Sequence, residues 1–291
     1  MEAFNYEENI MGGIDNQVVN TMTKSYSTTR LLRFLDSVNI SKGKFLEVGC
    51  GGGTFTRSVK YYRPNLEVHG CDISKRAILK AKEEKNFDIK YKIGDGQNLP
   101  YPDAMFEIAA VMDVLEHVEN PKQLIKESHR VLKKGGKIHI CVPCENNRLT
   151  FFWLFRKMGL RVDLTRKHFG HIQKFKTIEI VTMLRENGFI VEGCSFSGHL
   201  ISQLIGLLDW YLPQELLFLV FGKETAHRCK DHAILINKNI KDSHKIKFLL
   251  LLKKIWFKIV KLIEIIPFYE SKILINRNST AMTIHLTAQK N

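Results

Sequence analysis

The chain has 291 residues, 44% of them hydrophobic and 25% charged, and a formal net charge of +14. That length supports one large domain or two small ones, and the composition excludes a disordered majority. The charge is uneven: from Gly222 to Asn291 stand 14 Lys/Arg against 5 Asp/Glu, which points to an acidic partner, either a nucleic acid or an anionic membrane surface.

The opening MEAFNYEENI has neither a basic region nor an apolar stretch, so no secretory signal is expected there. The six cysteines are scattered rather than set out as a disulfide framework. Both features predict a cytoplasmic protein. Residues 1–43 are polar and then helical around Thr28–Val38, where Leu31, Leu32, Phe34 and Leu35 share a side. An alternating pattern follows. KFLEV (44–48) predicts a strand and precedes a helix over 54–62. LEVHGCD (66–72) precedes a helix capped by Ser74. DIKYKIGD (88–95) leads into a loop, and FEIAAVMD (106–113) precedes a helix near 120–133 with Pro121 in its first turn. GKIHICVP (136–143) is a fifth apolar run. Five such runs separated by helical patterns predict a parallel sheet in an α/β domain. An aromatic stretch (149–160), a helix over 176–187, a strand over 189–195, two apolar stretches (199–221 and 246–266) and a final strand over 280–289 complete the chain.

Chemistry concentrates first in FLEVGCGGGTFT (45–56), with four glycines in five positions. Glycine this dense costs backbone entropy, so a ligand that lies against bare backbone is expected. A nicotinamide fingerprint requires glycine at position 54, where Thr54 stands. The spacing present is E-x-G-x-G-x-G: Glu47, Gly49, Gly51 and Gly53. It falls at the carboxyl end of the first strand, where open α/β sheets bind ligands. Asp72 ends the second strand and can accept bonds from two ribose hydroxyls, while Ile73 can pack on a purine face. Asp95 can accept from an adenine amino group, with the Gly96 and Gln97 backbone alongside. Asp113, after the fourth strand, lies where an amino-acid moiety would sit. Each has a plainer reading: Glu47 as a helix-dipole carboxylate, Asp95 as the first residue of an Asp-Gly turn, and Gly52 as a turn glycine.

Taken together, residues 43–143 resemble the seven-strand S-adenosylmethionine-dependent methyltransferases. The similar subgroup carries D-x-L-E-H after the fourth strand and V-L-K-x-G-G before the fifth, here DVLEHV (113–118) and VLKKGGKIHICVP (131–143). The resemblance implies a Rossmann-like seven-strand sheet, mostly parallel, with an antiparallel last strand over 280–289 beside 189–195. It implies S-adenosyl-L-methionine as cofactor, with Glu47 orienting its ammonium group. His117 then becomes the leading base, or else a helix-entry histidine bonded to backbone. His168 and His171, in KHFGHIQKF, match a histidine-bearing segment on the substrate side; they bind an acceptor or merely cap the next helix. Asp113, Glu116 and His117 resemble the E-x-x-E-H with which ubiquinone-pathway O-methyltransferases can hold a divalent cation. The shorter aspartate leaves the expectation at no metal. Cys141, Cys144, His168 and His171 form a formal zinc pattern with too long a gap, and Cys141 belongs to a core strand.

About 85 residues separate the sixth and seventh strands, where short relatives join them directly. Within them, Ile246–Ile266 reads as a basic amphipathic helix. Lys247, Lys254, Lys258 and Lys261 fall in one arc, and Phe248, Leu252, Ile255, Trp256, Ile259 and Ile263 lie opposite. Its charges are too many for a span. The run 199–222, broken by Asp209 and Pro213, also reads as two helices. The expected organisation is a helical cap (1–43), a cofactor-binding core (44–198), an apolar and basic insertion (199–272) and a returning strand (273–291). The expected function is methyl transfer to a small or lipid-linked acceptor at the cytoplasmic membrane face. The alternatives are a soluble small-molecule O-methyltransferase whose insertion is a dimer lid, and a non-catalytic membrane-binding module. Nucleic acid is disfavoured as partner, because the basic residues interleave with aliphatics instead of forming a patch with stacking aromatics.

Overall fold

The computed structural model describes residues 18–158, 170–208, 263 and 265–291. Seven strands form one sheet in the order β3-β2-β1-β4-β5-β7-β6. They are β1 (Gly43–Val48), β2 (Leu66–Asp72), β3 (Ile89–Ile93), β4 (Phe106–Met112), β5 (Leu132–Pro143), β6 (Phe189–Ser197) and β7 (Thr283–Lys290). The first five are parallel neighbours, and β7 inserts antiparallel between β5 and β6. The expected antiparallel last strand is therefore present.

The helices are α1 (Tyr26–Ser37), α2 (Thr54–Tyr62), α3 (Lys75–Ala81), α4 (Pro121–Val131), α5 (Phe151–Lys157), α6 (Thr177–Glu186), α7 (Leu200–Gly206) and α8 (Ile265–Ile273). The starts follow local chemistry. Ser25 caps α1, Ser74 caps α3 and Asn120 caps α4, whose first residue is Pro121. The inner strands β1, β2, β4 and β7 are buried along most of their length because both faces are covered, whereas the edge strands β3 and β6 are largely open. Along β1, Phe45 joins a core layer with Leu31 and Phe34 of α1 and Val59 of α2. Leu46 and Val48 join the opposite layer with Val111, Leu124 and Ile140.

Of two buried histidines, one ties the N-terminal helix to the sheet and the other ties two strands together. His139 on β5 meets the Ser37 hydroxyl at 2.9 Å and that of Thr287 at 3.1 Å, and His285 on β7 meets Ser197 at 2.9 Å. Burial pushes both imidazoles down, His139 to about 3. The two ends of the long insertion meet each other, and the second of them meets α1. Glu270 of α8 accepts the backbone N–H groups of Ile201 and Ser202 on α7, at 2.8 and 2.9 Å. Arg33 of α1 donates to the Ser271 carbonyl at 2.9 Å. Most of the insertion, including Lys247, Lys254, Lys258 and Lys261, lies outside the described residues, as does His168.

Candidate functional site

The chain order reverses between β1 and β4, and the carboxyl ends of the strands there open a crevice. Gly49, Gly51 and Gly53 line it with φ of 75°, 50° and 83°, the left-handed region that favours glycine. At Gly49 a Cβ would lie 2.3 Å from Val114, and at Gly53 one would lie 2.5 Å from the Tyr91 hydroxyl. The loop is thus held to glycine by its backbone conformation and, at Gly49 and Gly53, also by the side chains packed against it.

The flanking acids hold this loop. Asp72 accepts the Gly51 N–H at 2.7 Å through one oxygen and the Ser74 N–H at 2.9 Å through the other. Beside it Ile73 is 59% exposed, an unusual position for isoleucine, and one that suits a flat apolar ligand. Asp95 forms the expected turn. Its carbonyl accepts from Asn98 at 3.0 Å and its carboxylate from the Gln97 N–H at 2.8 Å. Gly96 sits where a Cβ would press on Leu124 and Val48, at 2.9 and 3.0 Å. Glu47 is buried and accepts the Thr56 hydroxyl of α2. Burial pushes its carboxyl up to about 8, against the opposing pull of Thr56 and Arg30.

Asp113 follows β4 with φ of 53° and is paired with Arg30 of α1, Nη2 to Oδ2 at 2.5 Å. Sequence reasoning missed Arg30, since one cation on an amphipathic helix carries no signal of its own. It also missed the fully buried Arg57, which donates to the Gly52 carbonyl at 2.9 Å and braces the glycine loop from below.

The next residues form a second cluster. Glu116 and His117 lie in a 3-10 turn, Leu115–His117, directly after β4. The Glu116 carbonyl accepts the N–H groups of Ile172 and Gln173, at 2.9 and 3.0 Å, which brings His171 over the turn. The His117 and His171 rings meet edge to face, centroids 4.9 Å apart. Glu145, two residues past β5, accepts from His171 Nδ1 at 2.6 Å. Glu116 and Glu145 are each 1% exposed. Burial and the nearby Asp113 push Glu116 well above the ordinary carboxylate range. Burial and the neighbouring His171 push His117 down to about 4.

Donor atoms of Glu116, His117 and His171 all lie within 4.8 Å of one another, a set that can hold a cation. The structure thus keeps Glu116 and His117 of the D-x-x-E-H set and brings His171 in place of Asp113, which is paired with Arg30. The formal zinc pattern does not assemble among the described residues. Cys141 lies 3.7 Å from Asp113, and Cys144 is buried against the Val142 carbonyl.

Residues 46–140 match the family model described as a methyltransferase domain. The chain is 35% identical over 151 residues to an uncharacterized protein of Methanocaldococcus jannaschii, spanning 52% of this chain and 66% of that one. It is 33% identical over 111 residues to a ubiquinone biosynthesis O-methyltransferase of Coxiella burnetii, spanning 37% of this chain and 47% of the relative. The chain therefore spans between about half and two thirds of the length of these relatives. Among solved structures, a phosphoethanolamine N-methyltransferase of Haemonchus contortus in complex with S-adenosyl-L-methionine shares the fold. Its TM-score is 0.53 at 18% identity, covering 91% of this chain and 52% of that one.

Proposed function

We propose that the methyltransferase domain this chain carries, of the class whose cofactor is S-adenosyl-L-methionine, transfers a methyl group to a small or lipid-linked acceptor at the cytoplasmic face of a membrane. The observation that carries the reading is the bare-backbone cradle of Gly49, Gly51 and Gly53, flanked by Glu47 and Asp72 at the strand ends. When bound, the cofactor supplies a sulfonium-activated methyl group, so the protein's task is chiefly to hold a nucleophile close and in line.

In this reading the glycine loop admits the amino-acid part of the cofactor, and Glu47 faces its ammonium group. Asp72, at the end of β2, faces the ribose hydroxyls, for which a carboxylate is an acceptor. Ile73 packs on the purine, with Asp95, Gly96 and Gln97 at its edge, and Asp113 borders the amino-acid end. His117, in the turn after β4, and His171, in the segment before α6, face the acceptor.

A lipid-linked acceptor and an anionic membrane surface are supported by apolar side chains exposed on the flanking helices: Ile201 and Leu204 on α7, Ile266 and Ile273 on α8. The basic amphipathic pattern of Ile246–Ile266 adds the charge. No helix among the described residues is long and apolar enough to cross a membrane, so surface attachment is the form proposed. Replacing Lys247, Lys254, Lys258 and Lys261 with glutamine tests it by co-sedimentation with vesicles. Each lysine near an anionic surface contributes about 1 kcal/mol, so binding to phosphatidylglycerol vesicles should fall by orders of magnitude. Moderate salt should mimic the change. A wild-type protein that stays free of anionic vesicles and runs as a tight dimer would replace this reading with the soluble enzyme whose insertion is a dimer lid.

A further inference from the structure

We propose that Thr56 on α2 is the positioning residue for the cofactor's amino-acid end: its hydroxyl holds one oxygen of Glu47 and so leaves the other to the ammonium group. The inference rests on the methyltransferase reading, which sets Glu47 against that group, and adds to it a residue that touches no ligand.

The first observation is the partner that Thr56 takes. A hydroxyl inside a helix ordinarily donates back to a carbonyl one turn earlier. Ser58, on the same helix, does so, to the Thr54 carbonyl at 2.7 Å. Thr56 instead donates across the glycine loop to Glu47 Oε2, nine residues earlier on β1. The loop makes this possible. It carries the chain from β1 into α2, whose first turn, after the left-handed Gly53, comes back over Glu47.

The second observation is enclosure. Thr56 is 0% exposed and Glu47 3%. The hydroxyl is therefore out of reach of a ligand in the crevice, and its effect passes through the carboxylate. Among the described residues Thr56 is the one hydrogen-bond donor to Glu47. Arg30 and Arg57 act on that carboxylate as charges that favour its ionised form, and Asp72 opposes them.

A single donor on Oε2 has two consequences. The terminal torsion of a glutamate is soft, so an unheld carboxylate turns and presents either oxygen. With Oε2 taken, Oε1 is the oxygen left for the ammonium group, and its position is set before the ligand arrives, which lowers the cost of binding. The same bond favours the ionised carboxylate, the form that attracts an ammonium group.

Calorimetry on the full chain with two ligands tests this. One is S-adenosyl-L-methionine. The other is 5′-methylthioadenosine, which has the nucleoside but no amino-acid part. Thr56→Val removes the hydroxyl at nearly constant shape. It should weaken S-adenosyl-L-methionine binding roughly 10- to 100-fold, the scale for a hydrogen bond to a charged group, and leave methylthioadenosine within about twofold of wild type. Thr56→Ser keeps the donor and should hold S-adenosyl-L-methionine within about threefold of wild type. Added to Glu47→Gln, Thr56→Val should cost little more, because two residues acting through one contact do not add. If Thr56→Val does not fold, Thr56→Ala makes the same comparison. Unchanged S-adenosyl-L-methionine affinity in the valine variant, a parallel loss of both ligands, or a loss that adds in full to that of Glu47→Gln would each confine Thr56 to supporting α2 while leaving the cofactor reading in place. A wild-type protein that does not bind S-adenosyl-L-methionine would overturn the reading beneath it.

Discussion

The two halves of the crevice are built differently. The cofactor half, at the ends of β1, β2 and β3, is made of backbone and of acids that hold backbone: Asp72 on Gly51 and Ser74, Asp95 on Gln97. Its parts lie within about one strand–helix–strand unit of one another. The other half, past β4 and β5, which in the proposed reading runs from the cofactor's amino-acid end to the acceptor, is made of side chains that hold side chains: Arg30 on Asp113, Glu145 on His171, His117 against His171. Its parts come from residues 30 to 171. A ligand shared by a whole class of enzymes suits a local, backbone-made site. A ligand particular to one enzyme suits a site assembled from distant side chains, which can change singly without disturbing the sheet.

The largest effect that could break this contrast belongs to the glycine loop. Gly49→Ala puts a Cβ 2.3 Å from Val114 on a residue whose φ is already 75°. Strain of this kind costs about 1–3 kcal/mol from the backbone alone, and the overlap adds to it. Cofactor affinity should fall at least roughly 100-fold by calorimetry, with a lowered melting temperature. The double variant Gly49→Ala, Val114→Ala relieves the overlap but not the backbone, and should recover only part of the loss. Affinity within twofold of wild type in the single variant would mean that the loop is not a ligand surface.

Next comes Asp72. Asp72→Ala removes acceptors from two N–H groups and from the proposed ribose contacts, and should weaken cofactor binding by about 1.5–3 kcal/mol. Asp72→Asn retains one carbonyl oxygen but turns an amide N–H toward the other donor, so its loss should be nearly as large. Binding unchanged in a folded Asp72→Ala protein would confine this carboxylate to loop support.

These two variants probe what the sequence showed most clearly. Period and capping placed β1 to β5 within a residue or two, apart from the early start of β5. The reason is that the inner strands are buried on both faces and the starts of α3 and α4 carry their own caps. The cofactor residues were legible because one rule covers them: an acid at the carboxyl end of a parallel strand. The rule yields Glu47, Asp72, Asp95 and Asp113, and carried one strand further it yields Glu145, just past Pro143. That residue was missed because C-E-N-N reads as an ordinary loop. Which of the rings of His117 and His171 lies against a buried carboxylate was not legible at all, because 26 residues separate Glu145 from its partner His171. Arg30 lay beyond reach for the same reason, since six secondary-structure elements stand between its helix and its partner Asp113.

The smallest effect sharpens the contrast where the two halves meet, at Glu47. Burial holds its carboxyl at about 8, so at pH 7 in the ligand-free protein it is largely protonated. The cofactor's ammonium group, brought beside it, favours the ionised form, so binding should expel a proton. Calorimetry at pH 7 in buffers of different ionisation enthalpy should show release approaching one proton per cofactor, and Glu47→Gln should abolish the buffer dependence. The same group sets a sign for stability. A carboxyl raised above its unfolded value of 4.5 makes its full contribution below that pH, and loses it as the pH rises through about 8. Glu47→Gln keeps an oxygen to accept the Thr56 hydroxyl and has nothing to ionise. Without cofactor, the melting temperature of the variant should therefore hold steady between pH 6 and 9, while that of the wild type declines. With saturating cofactor the wild-type decline should shrink, because the ammonium compensates the charge that burial penalises. Buffer-independent binding by the wild type would place the ammonium elsewhere. The cofactor half would then lose its one buried side-chain contact and stand as backbone alone.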